Sequence, residues 1–386
     1  MPDPAAQTAP PGQPSPKGPA DPVAILAHLA ALPTAPFHEL RVAREIVAIC
    51  EAAGLPWEDD PFGNLVVWHR GAPGSGSRPL AFGAHMDHPA LEVVQTAPLT
   101  GRLLGGVPRH YFERPVPVRL IHADEGPGET AGRITGHHEQ DGMTLLNLEA
   151  AGPVPEGSFG VFHVGPFREV DGLLYQPAAD DLGGCAAILS ALLRCQARGI
   201  RADVAGVFTR CEEVGLIGAT LVARQGLLPP QTVVISLETS RALPGAEIGG
   251  GPVIRVGDAT MAFHPQGEAL LRRARALLLE RDPGARIQRQ LMSGGTCEAV
   301  AYSLAGYVTT GVAFPLGNYH NAGPDGTIGP EFIHRSDLET GADLLVACAE
   351  CVATGDAPDP VEARLNQRAD QGAERLRRSA AGWRLG

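Results

Sequence analysis

Apolar positions along the chain repeat at two different spacings, and the two spacings alternate. Residues 39–53 carry apolar side chains at helical intervals, with Val42 and Ile46 on one face. Residues 204–208 and 233–237 are mostly apolar and β-branched, which is typical of strands covered on both faces. The alternation predicts an α/β fold with a mixed, mostly parallel sheet covered by helices. Further helices are predicted near residues 22–26, 180–197, 267–281, 295–304 and 336–353, and further strands at 65–68, 80–84 and 308–314.

Residues 92–162 have a different pattern from the segments on either side. Short β-rich runs alternate with Gly/Pro turns, and no helical spacing is present. This pattern predicts an inserted all-β domain, a small barrel. The predicted organisation is a disordered Pro/Ala-rich tail at 1–21, an α/β domain formed by 22–91 and 163–356, the inserted domain at 92–162, and a charged C-terminal tail at 357–386 that is either a loose helix or disordered.

Composition and charge argue against several classes of partner. The chain has 386 residues, 44% of them apolar, which is enough for one large domain and a smaller one. Its formal net charge of −12, with no basic cluster, argues against nucleic acid and anionic membranes as partners. No apolar run approaches the roughly 20 residues of a membrane span, and we expect no secretory signal. Seven scattered cysteines indicate reduced thiols and hence a cytoplasmic protein.

Two adjacent glutamates, Glu212 and Glu213, follow the predicted strand at 204–208. Carboxylates are rarely placed at the end of a buried strand unless something pairs with them. A divalent metal ion would pair with one glutamate. Because adjacent side chains point apart, the other would face a substrate pocket and could move protons. The alternative interpretation of the pair is a solvated helix start.

Four further segments carry metal-type side chains. His85 and Asp87 follow a predicted strand and, as residues i and i+2 of extended chain, point the same way. His85 could therefore bind a metal while Asp87 orients a group near it. Asp180 opens a predicted helix, where it is also a candidate cap. Glu238 ends one strand and His320 follows another, and active sites of open α/β sheets lie at the carboxyl ends of strands.

These candidates form a nitrogen and oxygen donor set. Two histidines and three carboxylates suit zinc first, with cobalt or manganese as alternatives. Two ions about 3.5–4 Å apart that share one carboxylate are the arrangement of two-metal hydrolases. Each ion then takes one histidine and one carboxylate of its own, the bridging water becomes a hydroxide, and a free glutamate takes its proton. The sequence therefore predicts a hydrolase with two divalent metal ions per subunit.

Several motifs match one peptidase family. They are His85-Met86-Asp87, Asp180-Asp181, Gly294-Gly295-Thr296, the proline-led segment of His320, the Gly-Asn turn at 60–64 and the segments 212–219 and 251–254. On these motifs the chain resembles the TET, or glutamyl aminopeptidase, family of di-metal metallopeptidases, which has also been labelled endoglucanase M. The resemblance covers residues 22–355 and implies a fold like that of zinc exopeptidases, with the β-rich insertion as a separate domain.

The resemblance also implies a role for each candidate residue. It implies two overlapping ligand sets, one of His85, Asp180 and Glu238 and one of Asp180, Glu213 and His320. Glu212 would be the general base and acid, and Asp87 the carboxylate behind His85. The implied activity is that of an aminopeptidase acting on peptide substrates, in homo-oligomers that are often tetrahedral dodecamers.

The sequence departs from the family pattern at four positions, all expected near the pocket. Glu238 stands where aspartate is usual, Leu182 where arginine is usual, His88 where an acid is usual and Cys297 where aspartate is usual. Substrate preference is therefore not carried over from the family. His320 also has a rival as ligand, His334, which lies 14 positions further on; the proline spacing favours His320.

Two other classes of function remain candidates. Related di-metal dipeptidases, carboxypeptidases and N-acyl amino acid deacylases share a similar metal set, but their inserted domain follows the glutamate pair. Here the insertion precedes Asp180, which favours the aminopeptidase. A catalytically silent peptide-binding or assembly homologue would keep the fold without turnover, and the presence of Glu212 with all five ligands argues against it.

Overall fold

A computed structural model of the protein describes residues 18–71, 79–122, 128–355 and 359–380. Most of the predicted N-terminal tail, residues 1–17, lies outside this part. The helices of the described residues are α1 (Pro22–Leu29), α2 (Leu40–Ala53), α3 (Ala179–Ala197), α4 (Ile217–Gln225), α5 (Pro265–Arg281), α6 (Ala299–Leu304), α7 (Arg335–Thr354) and α8 (Pro360–Ala380), with short 3-10 turns at Arg109–Phe112 and Tyr319–Asn321. The strands are β1 (Trp57–Asp59), β2 (Leu65–His69), β3 (Leu80–His85), β4 (Ala90–Thr96), β5 (Leu99–Leu104), β6 (Val116–Ile121), β7 (Glu129–Gln140), β8 (Met143–Ala150), β9 (Phe159–Phe162), β10 (Arg168–Val170), β11 (Leu173–Gln176), β12 (Val204–Thr209), β13 (Val233–Arg241), β14 (Val253–Arg255), β15 (Gln288–Gln290), β16 (Val308–Leu316) and β17 (Glu331–His334).

The central sheet of the described chain has eight strands in the order β1-β2-β12-β3-β13-β16-β14-β15. The pairs β12–β3, β3–β13, β13–β16 and β14–β15 are parallel. The pairs β1–β2, β2–β12 and β14–β16 are antiparallel. Every residue of β2, β3 and β12 is buried, which is the burial that continuous apolar runs predict. The predicted mixed, mostly parallel sheet is therefore confirmed.

Helices cover both faces of the sheet, and the side chains of β3 pack alternately into two different hydrophobic clusters. Leu80 and Phe82 belong to a large cluster with residues of α1, α3, α5 and α7. Ala81 packs instead in a smaller cluster with Val222 of α4 and Tyr302 of α6. Successive side chains of a strand point to opposite faces, so packing on both sides fixes the strand and the residues at its end.

Six antiparallel strands close into a small barrel in the order β4-β5-β8-β7-β6-β9. Its core includes the fully buried side chains of Phe112, Leu120, Ile134 and Leu146. The barrel strands begin at residue 90 and end at 162, against a predicted insertion at 92–162. The small β-barrel of the predicted fold is thereby confirmed. A three-stranded sheet, β10-β11-β17, is separate from the central sheet and from the barrel.

Several elements differ from their predicted bounds. α6 begins at Ala299 rather than near residue 295, because residues 293–298 form turns in which Cys297 N donates a hydrogen bond to Asp258 Oδ2. Asp180 and Asp181 have non-helical backbone angles, so the regular part of α3 begins after them. α4 and the three-residue strands β1, β10, β14 and β15 are too short for a periodic pattern to reveal them.

The C-terminal tail is helical over α8, which decides between the two structures expected for it; residues 381–386 lie outside the described part. None of the residues of α8 is buried. The helix is long but densely charged, with five arginines and three acidic residues. Among the helices that the structure describes, none is both long and apolar enough to cross a membrane.

Candidate metal centre

The candidate residues come from five segments and meet at one edge of the central sheet. β3 ends in His85, which lies opposite Thr209 at the end of β12, just before the glutamate pair. Glu238 lies in β13, His320 follows β16, and Asp180 enters from the first residues of α3. The structure thus brings together all seven residues singled out from the sequence: His85, Asp87, Asp180, Glu212, Glu213, Glu238 and His320.

Two overlapping groups of side chains surround the centre, and we name them site A and site B. Site A consists of His85, Asp180 and Glu238; His85 Nε2 lies 3.3 Å from Asp180 Oδ1 and 3.6 Å from Glu238 Oε1. Site B consists of Asp180, Glu213 and His320; His320 Nε2 lies 3.3 Å from Glu213 Oε2 and 3.8 Å from Asp180 Oδ2. Asp180 therefore turns one carboxylate oxygen to each site.

Several buried atoms of these two sites have no hydrogen-bond partner within the described chain. They are His85 Nε2, Asp180 Oδ1, Glu213 Oε1 and Glu238 Oε2. Leaving a buried polar atom unpaired costs about 1–3 kcal/mol, and more when the group is charged. Imidazole nitrogens and carboxylate oxygens directed at a common point are the ligand set of divalent ions such as zinc. The residues present therefore fit a divalent cation in each site.

The two histidines direct their Nε2 atoms at the carboxylates. His85 Nδ1 lies 3.1 Å from the carbonyl oxygen of Asp87, and His320 Nδ1 lies 2.8 Å from the carbonyl oxygen of Gly106. A carbonyl oxygen only accepts, so each Nδ1 carries a proton and each neutral ring keeps its lone pair at Nε2. Binding of a metal through Nε2 needs this tautomer. Gly106 lies between barrel strands β5 and β6, so the inserted segment helps to orient His320.

Negative charge accumulates in the centre and shifts the pKa values of its groups. Burial, followed by the charge of Glu238, raises the pKa of Asp180 well above its usual range. Burial likewise raises the pKa of Glu212, with Glu238 and Glu213 adding to the effect. Burial alone would lower the pKa of His320, but the charge and hydrogen bond of Glu213 outweigh it and raise this pKa to about 9. A divalent cation would take over the role of the protons held by these groups.

Asp87 holds the glutamate pair in place. Its carboxylate is fully buried, and its Oδ1 and Oδ2 accept hydrogen bonds from Glu212 N at 2.9 Å and Glu213 N at 3.1 Å. Asp87 Oδ1 also lies 3.6 Å from His85 Nδ1, which is too long for a hydrogen bond. The carboxylate expected behind His85 is thus near that ring, but its hydrogen bonds link the end of β3 to the loop after β12.

A second carboxylate, that of Glu39 beside α2, supports the same loop. Glu39 Oε1 accepts a hydrogen bond from Cys211 N at 3.1 Å, and Oε2 pairs with Arg210 Nε at 2.7 Å. Asn64 Oδ1 accepts from Arg210 N at 3.0 Å. The loop packs so closely that a Cβ on Gly218 would lie 2.4 Å from Arg210 O. The Gly-Asn turn was visible as a motif, whereas Glu39 gave no signal, since it lies 172 positions from Cys211.

A cavity of about 420 Å³ opens onto sites A and B. Arg255 lines it and is only 2% exposed; its Nη1 donates to Ser240 Oγ at 3.1 Å and its Nη2 to Gly295 O at 3.4 Å. The cavity is therefore polar on the side of the ligands and arginine. Its other lining residues include Leu243, Met292, Thr296 and Tyr319.

Three of the four departures from the family pattern lie behind this lining, and only Glu238 is part of it. Leu182 packs in the main core and Cys297 in a small apolar cluster. His88 lies behind Asp180, with its Nδ1 2.7 Å from the Asp180 carbonyl oxygen. His334, the alternative candidate ligand, caps α7 instead: its Nδ1 accepts a hydrogen bond from Ser336 N at 3.1 Å.

Comparison with known proteins gives one family and one fold. The profile of the M42 glutamyl aminopeptidase family matches residues 147–343, just over half of the 386-residue chain. The TET1 peptidase of Pyrococcus horikoshii, described as assembling into a tetrahedron or a large octahedral shell, is 24% identical with a TM-score of 0.68; the match covers 85% of this chain and 99% of that one. A TET1 structure described as a dodecamer is 23% identical with a TM-score of 0.69, covering 85% and 98%. An aminopeptidase of Desulfurococcus kamchatkensis is 21% identical with a TM-score of 0.68, covering 87% and 96%.

The three similar structures agree with the fold of a large mixed sheet and a small closed barrel. The family inferred from the motifs is the family whose profile matches, so that inference is confirmed. The chain belongs to the M42 glutamyl aminopeptidase family.

Proposed function

We propose that this protein is a metal-dependent aminopeptidase that removes N-terminal residues from peptides, with two divalent ions and a glutamate base. Its membership of a glutamyl aminopeptidase family supports a metal-dependent peptidase. The observation that carries the finer proposal is the position of Asp180, with one carboxylate oxygen toward His85 and the other toward His320. A carboxylate placed in this way could bridge two neighbouring divalent ions, as in a two-metal site.

His85, Asp180 and Glu238 would hold the ion of site A, and Asp180, Glu213 and His320 that of site B. Divalent ions held there would supply Lewis-acid chemistry, by which water becomes more acidic and a scissile carbonyl more polarised. Zinc is the first choice for this donor set, and cobalt or manganese would also suit it. The surrounding residues fix the orientation of the two histidines, because the carbonyl oxygens of Asp87 and Gly106 accept hydrogen bonds from Nδ1 of His85 and His320.

Glu212 is the proposed general base and acid. It lines the cavity, and its Oε2 lies 4.0 Å from His85 Nε2. His85, Glu212 and Glu213 also form a possible ligand group, but Asp180 and Glu238 lie closer to His85, at 3.3 and 3.6 Å. We therefore assign Glu212 to take a proton from the attacking water and to pass it to the leaving amine.

The place of the barrel supports the aminopeptidase over its enzymatic alternatives. All six barrel strands lie between His85 and Asp180 in the chain, and none follows the glutamate pair. Related di-metal dipeptidases, carboxypeptidases and deacylases would carry their insertion after that pair. A silent homologue would not need the ordered loop that Asp87 and Glu39 maintain around Glu212.

The proposal extends to assembly and compartment. Similar structures are described as a dodecamer, a tetrahedron and an octahedral shell, and we propose a homo-oligomer of this kind. All seven cysteines are free, six of them buried, which supports a reducing, cytoplasmic location.

Release of free amino acids from aminoacyl-anilides, with zinc, cobalt or manganese added to the chelator-treated protein, tests the activity. N-blocked and C-blocked peptides in parallel identify which end is attacked. Glu212→Gln should keep the metal content and lose roughly 10²–10⁴-fold in kcat, which is the usual contribution of a general acid–base group. Wild-type kcat in Glu212→Gln would remove Glu212 from the mechanism, and attack only on N-blocked peptides would favour a carboxypeptidase or deacylase.

A further inference from the structure

Glu331 connects Asp180 and His320, two of the three ligands of site B, although it is itself a ligand of neither site. It is fully buried in β17. Its Oε2 accepts a hydrogen bond from Asp180 N at 3.0 Å, and its Oε1 accepts one from His320 N at 2.8 Å. The two backbone donors lie 140 positions apart in the chain. One carboxylate thus fixes the backbone of the shared ligand relative to that of a ligand private to site B.

His88 and Asn321 complete the same connection from the other side. His88 Nδ1 lies 2.7 Å from the Asp180 carbonyl oxygen, and His88 Nε2 lies 2.8 Å from Asn321 Oδ1. Asn321 Nδ2 donates to the carbonyl oxygens of Pro177 at 2.9 Å and Gly329 at 3.1 Å, which fixes its Oδ1 toward His88. Both backbone polar groups of Asp180 are therefore engaged, N by Glu331 and O by His88.

The segment that carries His320 needs such support because its backbone is in a costly conformation. His320 and Asn321 have φ of 55° and 60°, and Asn318 has φ of 55°. Left-handed backbone at non-glycine residues costs on the order of 1–3 kcal/mol each and persists only where the surroundings hold it. The hydrogen bonds from His320 N to Glu331 Oε1 and from Asn318 Nδ2 to the carbonyl oxygen of Pro330, at 2.8 Å each, provide that hold.

We propose that Glu331, His88 and Asn321 form a positioning clamp that fixes Asp180 relative to His320 and thereby sets the affinity of site B for its metal ion. The inference rests on the proposed function in that it takes sites A and B to be metal sites. Glu331 holds two of the three ligands of site B but only one of the three in site A. Loss of the clamp therefore weakens the site B ion more than the site A ion.

Glu331→Gln is the sharpest variant, because it keeps the size of the side chain. Its amide nitrogen is a donor and cannot accept the hydrogen bond of either backbone N–H, so one of the two contacts is lost. Residues that orient ligands typically change metal affinity by about 10–100-fold. We expect a loss of that size for one of two ions when the metal-free, full-length variant is titrated with Co²⁺ or Zn²⁺ against a competing chelator.

Two reference variants assign the weakened ion. Glu238→Ala removes a ligand private to site A, and His320→Ala removes one private to site B. The Co²⁺ absorption spectrum of Glu331→Gln at limiting metal should therefore match that of His320→Ala, in which the site A ion remains.

Asp337→Asn is the matched control for general destabilisation. Asp337 is also a fully buried carboxylate that accepts two backbone hydrogen bonds, from Gly249 N at 2.7 Å and Gly251 N at 2.8 Å. Within the described chain it belongs to neither site, and its hydrogen bonds go to no ligand of either one. This variant should lose thermal stability while binding both ions with wild-type affinity.

Selective weakening of site B in Glu331→Gln, absent from Asp337→Asn, supports the clamp. Unchanged affinity, an equal loss at both sites, or the same loss in Asp337→Asn would overturn it. If Glu331→Gln does not fold, His88→Leu attacks the clamp from the Asp180 carbonyl and is judged by the same criterion. A wild-type chain that binds no ion would contradict the proposed function itself, which separates the two failures.

Discussion

The metal centre has two halves that are held in different ways. The strand half, at the ends of β3 and β12, carries His85, Asp87 and the glutamate pair on neighbouring strands whose pairing fixes their positions. The loop half, residues 317–334, carries His320 on left-handed backbone that is held by Glu331. Asp180 belongs to both. Ligands of the same chemistry can thus be fixed by sheet pairing or by buried side-chain contacts, and the second way depends on fewer bonds.

Asp180→Ala should have the largest effect, because it removes the group that joins the two halves. Both sites lose a ligand, and we expect metal content to fall from two ions per chain to fewer than one, with turnover reduced by several orders of magnitude. Metal analysis after gel filtration measures the first effect and anilide hydrolysis the second. Two retained ions would show that Asp180 is not shared.

Asp87→Asn tests the strand half alone. The amide nitrogen of asparagine donates and cannot accept, so the loop loses one of the two hydrogen bonds that Glu212 N and Glu213 N donate to Asp87. We expect kcat to fall by about 10–100-fold, because Glu212 and the site B ligand Glu213 both depend on this carboxylate, whereas the hydrogen bond of His320 N to Glu331 is untouched.

The control for Asp87→Asn is again Asp337→Asn, whose kcat should stay at the wild-type value. The comparison of the two halves would fail if Asp87→Asn kept the wild-type kcat, because the glutamate pair would then not depend on the Asp87 carboxylate.

Gly218→Ala should have a moderate effect, on stability first. The added Cβ would meet the backbone of Arg210 at 2.4 Å and Asn64 Oδ1 at 2.5 Å, and backbone cannot move aside cheaply. Overpacking of this kind costs about 1–3 kcal/mol in the free energy of unfolding, which chemical denaturation measures. The shifted loop should also lower kcat. A variant as stable and active as wild type would show that the loop around Glu212 is not tightly constrained.

Gly372→Ala should have the smallest effect and serves as the matched glycine substitution. Gly372 lies within α8, none of whose residues is buried, and apart from the adjoining residues of its own helix no atom of the described chain lies within 4 Å of the position of an added Cβ. Alanine should stabilise this helix by about 0.5–1 kcal/mol, seen as slower proteolysis within residues 360–380 at unchanged kcat. Faster cleavage there would indicate that α8 is not a helix in solution.

The sequence predicts the strand half of the metal centre better than the loop half. His85 and the glutamate pair could be found because they stand at the ends of apolar strands, and Glu238 because it follows the apolar residues of β13, although that strand continues to Arg241. His320 could be predicted as a ligand, but the contacts that hold its backbone could not. Glu331 lies 151 positions from Asp180, and a glutamate at the start of a short strand gives no local signal.

Other features of the molecule could not be predicted from the sequence, for related reasons. The sheet and barrel could be predicted because their strands are long enough to show a pattern, whereas β14, β15 and β17 have three or four residues each. His88 was noted as a departure from the family pattern. Its contact with the Asp180 carbonyl could be seen only once residues 92 positions apart were brought together by the fold.

The most direct test of the account is the position of metal in crystals of the Co²⁺-loaded protein, located by anomalous scattering. We predict two peaks per chain, about 3.5–4 Å apart, one on each side of the Asp180 carboxylate. One peak, or two peaks away from Asp180, would contradict the shared-carboxylate centre on which the proposed peptidase mechanism depends.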